Sequence, residues 1–258
     1  MPVRIDTADV GYTEEARALL DSLDDSTFVS LGVLFGADLC VLGGTKHPAC
    51  WKLLKSAWQQ LDEQEQAEIS EASTRAMRAR DLITEQASGR GVEALIISVC
   101  YKMSTQLRIL LGARESPAFI IATHHESRTP AVTYFQPRGT SAIVQEVPER
   151  MVTVDRRPAP SPLDVMFSYR LSTQAFAAGE LARWALKPVP VARYQPKPPR
   201  LISLFSCTEG GRENSYELTV LGNGKKAHID GPDISADLGR HQLTGFMTDV
   251  IGKWADGQ

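Results

Sequence analysis

The sequence is poor in the features that identify a function directly. It has four cysteines in 258 residues, Cys40, Cys50, Cys100 and Cys207, and none of them forms a Cys-x-x-Cys pair. This excludes a disulfide framework and favours a reducing cytoplasm. Lys and Arg number 28 against 31 for Asp and Glu, so there is no excess of positive charge to attract nucleic acid or an anionic membrane. We therefore expect a cytoplasmic protein that does not bind nucleic acid.

Long hydrophobic runs are also lacking. The longest nearly uncharged stretch, Phe28 to Thr45, contains Asp38 and several glycines, and it is shorter than the roughly 20 apolar residues of a spanning helix. Met1 to Asp9 has neither a basic n-region nor an apolar h-region, which argues against a secretory signal. We expect no transmembrane segment.

Apolar periodicity is present and predicts most of the helices. Hydrophobic residues make up 43% of the chain, which is enough for a continuous core. Apolar residues recur at three- and four-residue spacing, and Asp62 followed by Glu65 resembles a capping box. The predicted helices are Thr13–Asp24, Pro48–Leu61, Asp62–Ile83 (closed by Gly89 and Gly91), Ser172–Leu186 and Ala236–Trp254, with a short one within Gly139–Val147.

Short runs rich in Ile, Val, Tyr and Phe between turn residues predict strands. Asn223-Gly224 supplies a tight hairpin turn between two of them. Phe28–Gly44 reads as strands or a buried loop. The predicted strands are Val3–Ile5, Leu95–Tyr101, Leu107–Leu111, Phe119–Thr123, Val132–Phe135, Leu201–Phe205, Tyr216–Leu221 and Lys225–Ile229, of which Leu95 to Phe135 form an antiparallel meander.

The order of elements predicts a single α+β domain, 1–258, with antiparallel sheets and flanking helices. Three strands and a helix occur between about 107 and 147 and again between 201 and 254, which suggests two quasi-equivalent halves, 1–150 and 160–258. Proline-rich passages join them. Gln195-Pro-Lys-Pro-Pro-Arg200 has the spacing of a polyproline ligand, but a stiff connector is the favoured interpretation.

Two groups of residues carry ligand chemistry for a metal ion. They are His124-His125-Glu126, and His47 with Cys50 and Cys40. Adjacent histidines on a strand point to opposite faces, and the second group lacks the two close ligand pairs of structural zinc sites. We expect neither a metal site nor a cofactor.

No motif predicts catalysis or phosphate binding. His228 and His241 are available as bases, but no G-x-S-x-G elbow or cysteine-protease context accompanies them. Gly43-Gly44-Thr45-Lys46 lacks the spacing of a P-loop, and Gly222-Asn223-Gly224-Lys225 belongs to the hairpin turn. The carboxylates of Glu63, Glu65, Glu68 and Glu71 read as a solvated helix face. The sequence therefore assigns no catalytic, metal or cofactor residue.

Four segments nevertheless carry a similarity to a known family: Ala72–Leu82 (ASTRAMRARDL), Leu107–Phe135 with its strand Phe119-Ile-Ile-Ala122, Tyr216–Ile229, and the final helix Ala236–Trp254. In these segments and in the order of its elements the chain resembles the EspG family of cytosolic chaperones of type VII (ESX) secretion. The resemblance implies two quasi-equivalent halves. It also implies a non-catalytic chaperone that covers the apolar tip of a helical secretion substrate and keeps it soluble.

Three hypotheses follow from these observations. The first is this protein-binding chaperone or adaptor, whose partner is a helical secretion substrate; whether it also forms a homo-oligomer is left open. The second is a gasdermin-like membrane-permeabilising effector, although the predicted strands are short for a bilayer, which needs about 9 to 11 residues per strand. The third is an enzyme with a site assembled around His124, His125 and Glu126.

Overall fold

The computed structural model describes residues 4–5, 14–43, 52–86, 100–124, 130–138, 140–149, 161–188, 200–208 and 211–255. The strands are β1 Arg4–Ile5, β2 Val29–Phe35, β3 Ile83–Gln86, β4 Cys100–Met103, β5 Pro117–His124, β6 Pro130–Pro137, β7 Ala142–Pro148, β8 Met166–Thr173, β9 Arg200–Thr208, β10 Gly211–Gly222, β11 Lys226–Gly231 and β12 Ile234–Gly239. The helices are α1 Glu14–Asp21, α2 Gly36–Gly43, α3 Lys52–Gln59, α4 Glu63–Ala79, α5 Thr105–Glu115, α6 Gln174–Leu186 and α7 Arg240–Ala255, with a 3-10 turn at Pro162–Asp164.

The strands form two sheets. A nine-stranded sheet has the order β12-β11-β10-β9-β5-β6-β7-β8-β2, and a small sheet has the order β1-β4-β3. In the large sheet β9 pairs antiparallel with both β10 and β5, which places Leu204 opposite Tyr216 and opposite Ile121. The predicted α+β class with an antiparallel sheet and flanking helices is confirmed.

The chain divides into two compact units. Unit 1 comprises 1–21, 31–115 and 148–168, and unit 2 comprises 22–30, 116–147 and 169–258. Each unit is therefore assembled from three separate segments of the chain. The quasi-equivalence of 1–150 and 160–258 stays a prediction.

Unit 2 has a core between one face of its strands and helices α6 and α7. Small residues on α6, Ala178 and Ala182 among them, allow close approach of Leu243, Met247 and Ile251 from α7, and all five side chains are buried. The strands contribute apolar residues at alternate positions, as expected when one sheet face is covered. These are Phe119, Ile121, Tyr134, Ile143, Ile202, Leu204, Leu218, Val220, Ala227 and Ile229.

The C-terminal end of α6 is held by the side chain of Arg200 on β9. The guanidinium donates to the carbonyls of Trp184 and Lys187 at 2.8 Å each and of Pro188 at 3.2 Å. The backbone N–H of Gly224 donates to the carbonyl of Leu186 at 2.9 Å. The last carbonyls of a helix have no partners within the helix, so the bonds to Trp184 and Leu186 satisfy two carbonyls at the end of α6. The bonds to Lys187 and Pro188 hold the chain that follows the helix. Burial lowers the pKa of Arg200 from its ordinary value.

Unit 1 contains a buried ion pair next to the start of α2. Asp38 is buried, accepts from the N–H of Phe35 at 2.9 Å, and pairs with Arg80 at 2.7 Å. Arg80 also donates to the carbonyl of Val33 at 2.9 Å, and its guanidinium lies 5.6 Å from the ring centroid of Phe35. Arg80 thus links the end of α4 to the turn between β2 and α2.

Several sequence predictions are confirmed. The capping box at the start of α4 is present, since Asp62 accepts from the N–H of Glu65 at 2.8 Å and Glu65 accepts from the N–H of Asp62 at 2.9 Å. The helix predicted over Ser172–Leu186 is α6, which begins at Gln174 after its N-cap Thr173. The turn predicted at Asn223-Gly224 joins β10 and β11, and of its two residues Gly224 has the positive φ, +92°. Four predicted strands lie within longer strands: 119–123, 132–135, 201–205 and 216–221. The strand predicted at 225–229 overlaps β11 in every residue except Lys225.

Two predicted elements have the wrong type. Leu107–Leu111 is a helix rather than a strand, because the side chain of Ser104 accepts from the N–H of Leu107 and caps the start of α5. The residues of α5 are buried on nearly every side, so its apolar run shows no helical period. Gly139–Val147 contains strand β7 rather than a short helix. Its β-branched Ile143 and Val144 favour a strand, and Val144 lies opposite Phe135 of β6.

Other boundaries differ from the predictions. Phe28–Gly44 holds a strand and then helix α2, which was not predicted, because Asp38 supplies the capping acceptor three residues after Phe35. The helix predicted over Asp62–Ile83 ends at Ala79, and Ile83 lies on β3; Gly89 and Gly91 are outside the described residues. The final helix begins at Arg240 rather than Ala236, because 234–239 pair with β11 as β12.

Removal of the α4 N-cap should destabilise the protein. We expect Asp62→Ala to lower the free energy of unfolding by about 1 kcal/mol, because two backbone N–H groups lose their partners. Urea unfolding followed by circular dichroism measures the change. Asp62→Asn keeps a capping oxygen and is the control; an equal loss in both variants would contradict the capping role.

The close approach of β10 to the end of α6 requires glycine at position 222. A Cβ there would lie 2.2 Å from the carbonyl oxygen of Ala185, so Gly222→Ala should cost more than about 2 kcal/mol of unfolding free energy. Gly245 on α7 is the matched control, because a Cβ there meets no atom within 4 Å. Gly245→Ala should stabilise by up to about 1 kcal/mol. Equal effects of the two substitutions in thermal unfolding would refute this packing.

Candidate functional site

The residues named from the sequence as metal ligands are only partly described. His124 ends β5 opposite Leu201, and Cys40 is buried in α2. The other proposed ligands lie outside the described residues: His47, Cys50, His125 and Glu126. The same holds for 189–199, which is most of the proline-rich segment Lys187 to Arg200. Within the part of the chain that is described, no three His, Cys, Asp or Glu side chains lie close enough together to hold a metal ion.

His228 takes part in a cross-strand pair with Asp237. Its Nδ1 lies 2.9 Å from Oδ1 of Asp237, with 43% and 67% of the two side chains exposed. The two residues lie opposite each other on β11 and β12. Among the described residues no hydrogen bond joins His228 to a serine or cysteine. His241 is exposed at the start of α7.

The outer face of β10, β11 and β12 is exposed, whereas their inner face is covered by α6 and α7. Exposed or half-exposed residues lie opposite each other on this face in two rows across the three strands, Leu221-His228-Asp237 and Thr219-Asp230-Ser235. Glu217 follows on β10 as the exposed residue of a third row. We call these seven residues the β10–β12 platform. Three of them are carboxylates, and the exposed side chain of Lys226 lies on the same face of β11, opposite Gly239.

The platform ends in an open strand edge, because β12 is the last strand of the sheet among the described residues. Gly231 and Ile234 close a two-residue turn, and such a closing pair exchanges backbone hydrogen bonds. Alternation then turns the backbone groups of Ser235, Asp237 and Gly239 outward. Consistently, the N–H of Gly239 donates to Oε1 of Gln242 at 3.1 Å rather than to β11.

Four large apolar side chains are exposed in the described part of the chain: Phe28, Phe35, Leu53 and Leu221. The two phenylalanines are engaged by cations, since Arg170 lies 4.6 Å from the ring of Phe28 and Arg80 lies 5.6 Å from that of Phe35. Leu221 is 44% exposed on the platform and Leu53 is 55% exposed on α3.

A buried polar cluster lies between β6, β7 and β8 in unit 2. The hydroxyl of Tyr169 donates to Oε2 of Glu146 at 2.7 Å, and both residues are fully buried. Thr133 lies opposite Glu146 on β6, and its Oγ1 has no hydrogen-bond partner among the described residues. Tyr134, on the other face, has its pKa raised by burial; its hydroxyl is 3.4 Å from Nε2 of Gln145.

Unit 2 also contains an open cavity of about 660 Å³. Its polar wall consists of Gln136, Arg138, Thr140, Ser141 and Gln174, and its apolar wall consists of Ala118, Gly252 and Ala255. Gln174 is the first residue of α6, so the cavity lies at the opposite end of that helix from Arg200. No sequence signal marked this cavity, because its residues come from four separate segments and form no motif.

No helix in the described part of the chain is long and apolar enough to cross a membrane. Comparison with known proteins adds no relative: no family model matches the chain, and neither a curated protein nor a solved structure matches it.

The bond from Tyr169 to Glu146 should contribute to stability. We expect Tyr169→Phe to lower the free energy of unfolding by about 1 to 3 kcal/mol, because it removes a short bond to a buried carboxyl group. Tyr134→Phe is the matched control, since its bond is 3.4 Å long, and it should cost less than about 1 kcal/mol. Urea unfolding of both variants decides the point, and a larger loss for Tyr134→Phe would overturn it.

Proposed function

We propose that this chain is a non-catalytic protein-binding chaperone or adaptor that keeps a helical secretion substrate soluble in the cytoplasm. The observation that carries the proposal is the β10–β12 platform, a sheet face left open beside a covered one. Exposed sheet surface of this kind provides an interaction site without any reactive group.

The platform has the properties of a preformed docking surface. Its strands are fixed from behind by the buried side chains of α6 and α7, so little order has to be gained on binding. Leu221 supplies an exposed apolar anchor in the row of His228 and Asp237. A helix lying across the platform would remove Leu221 from water and place basic side chains near Asp230 and Asp237, which favours correct orientation.

The family resemblance supports the same location. Two of the segments that carry it, Tyr216–Ile229 and Ala236–Trp254, contribute most of β10, β11 and β12 and the whole described length of α7 except its last residue. A chaperone that covers the tip of a helical substrate needs an exposed surface in a rigid scaffold, and these segments supply both. The partner expected on this basis is a helical protein with an apolar tip flanked by Lys or Arg.

Substitution of Leu221 tests the proposal. The tagged chain and its Leu221→Gln variant are used to capture partners from the cytoplasm of the source organism, and retained proteins are identified by mass spectrometry. We expect the unmodified chain to retain a helical secretion substrate at stoichiometric amounts. Leu221→Gln should weaken its binding at least about tenfold, because the exposed apolar anchor of the platform is lost.

Leu53→Gln is the matched control, since Leu53 is the more exposed leucine and lies in unit 1, outside the platform. It should leave binding unchanged. Capture of no stoichiometric protein would contradict the chaperone function. Equal binding by the unmodified chain and Leu221→Gln would contradict the platform as its location, and a non-helical partner would contradict the substrate class.

A further inference from the structure

The cavity in unit 2 has a lining that selects one kind of ligand. Among the described residues that line it, Arg138 is the single ionisable one, and the remaining polar groups are two amides and two hydroxyls. Because none of these described residues is a carboxylate, the guanidinium gives their wall a positive charge. The volume of about 660 Å³ lies within the range of small-ligand sites, roughly 300 to 1,000 Å³.

The polar wall is held in place by its own hydrogen bonds. Gln136, which is buried, donates from Nε2 to the carbonyl of Thr140 at 2.8 Å and accepts at Oε1 from Nε2 of Gln174 at 3.0 Å. Thr140 donates to the carbonyl of Pro137 at 3.2 Å. The chain of bonds joins the turn after β6 to the first residue of α6. A fixed wall of this kind loses little entropy when a ligand binds.

Arg138 is held by one hydrogen bond to a described residue, and its guanidinium has further N–H donors. Its Nη2 donates to the carbonyl of Cys207 on β9. This is the one hydrogen bond of its guanidinium to the described residues, and the group has five N–H donors. A planar fork with free donors matches the two oxygens of a carboxylate. The first N–H groups of α6 add partial positive charge on the same wall. Among the described residues, the side chain of the N-cap Thr173 accepts from one of these groups, the N–H of Phe176.

We propose that this cavity binds a ligand that carries a carboxylate, supplied either by a small organic acid or by the C-terminus of a polypeptide. The carboxylate pairs with Arg138, and neutral hydrogen-bonding groups of the ligand meet the amides of Gln136 and Gln174. A single guanidinium suits a monoanion better than a phosphate dianion, which usually requires more cationic groups. The proposal does not depend on the β10–β12 platform, because the cavity residues and the platform residues are different.

The test uses the full chain and two N-acetylated tetrapeptide libraries, one with free C-terminal carboxylates and one with C-terminal amides. Lactate, a monocarboxylate, and inorganic phosphate are the small-anion probes, and binding is followed by ligand-observed NMR. We expect the free-acid library or lactate to bind, and the amidated library to bind at least about tenfold more weakly. Binding of peptides but not lactate identifies a polypeptide C-terminus, and the reverse identifies a small acid.

Three variants locate the binding. Arg138→Gln should weaken it at least about tenfold. Gln174→Glu should weaken binding as strongly, because the new carboxylate repels the carboxylate of the ligand. The substitution should not disturb the helix, since an acidic residue at the first position of α6 is favourable. Arg183→Gln is the matched control, because Arg183 is exposed on the same helix and does not line the cavity. Its binding should equal that of the unmodified chain.

Three results would overturn the proposal. They are binding of the amidated library as strong as that of the free acids, preferred binding of phosphate, and absence of binding of all carboxylate probes at millimolar concentration. Binding unaffected by both cavity variants would likewise place the ligand elsewhere. The capture of a protein through Leu221 is a separate measurement, so failure of either proposal is recognised without the other.

Discussion

The fold of unit 2 depends on how helix α6 is fixed at its ends. At its C-terminus, Arg200 and the β10–β11 turn satisfy the last carbonyls, and this close approach is open only to a glycine at position 222. At its N-terminus, Thr173 provides the cap and Gln174 bonds to Gln136. One helix therefore supports two surfaces. Its buried side stiffens the sheet behind the β10–β12 platform, and its first residue forms part of the cavity wall.

Sequence reasoning succeeded where a local signal decides the structure. The capping box of Asp62 and Glu65 and the turn at Asn223-Gly224 each act within a few residues and were predicted. It failed where tertiary contacts decide. Four of the five residues of Leu107–Leu111 and all of 142–146 are buried, so neither run shows the alternation that separates helix from strand. The ends of β9 and β10 extend beyond their apolar runs because they pair with each other over nine residue pairs.

The sites were less predictable than the fold. His228 was recognised from the sequence as an available base, but its partner Asp237 lies nine residues away on the next strand and was not foreseen, since 234–239 were assigned partly to a helix. The cavity brings together Ala118, Gln136, Gln174 and Gly252 from distant parts of the chain. No pattern of spacing describes such a set, because the residues meet only after the sheet and both helices have formed.

The geometry of β12 also bears on how the protein behaves at high concentration. Of its outward backbone groups, the N–H of Gly239 is already taken by Gln242, which leaves Ser235 and Asp237 as the residues with exposed ladder groups. A stretch this short gives an incoming strand few hydrogen bonds, and the carboxylate of Asp237 resists burial between stacked copies. This end of the sheet is thereby a poor template for indefinite strand addition, even though the face of the platform beside it is exposed.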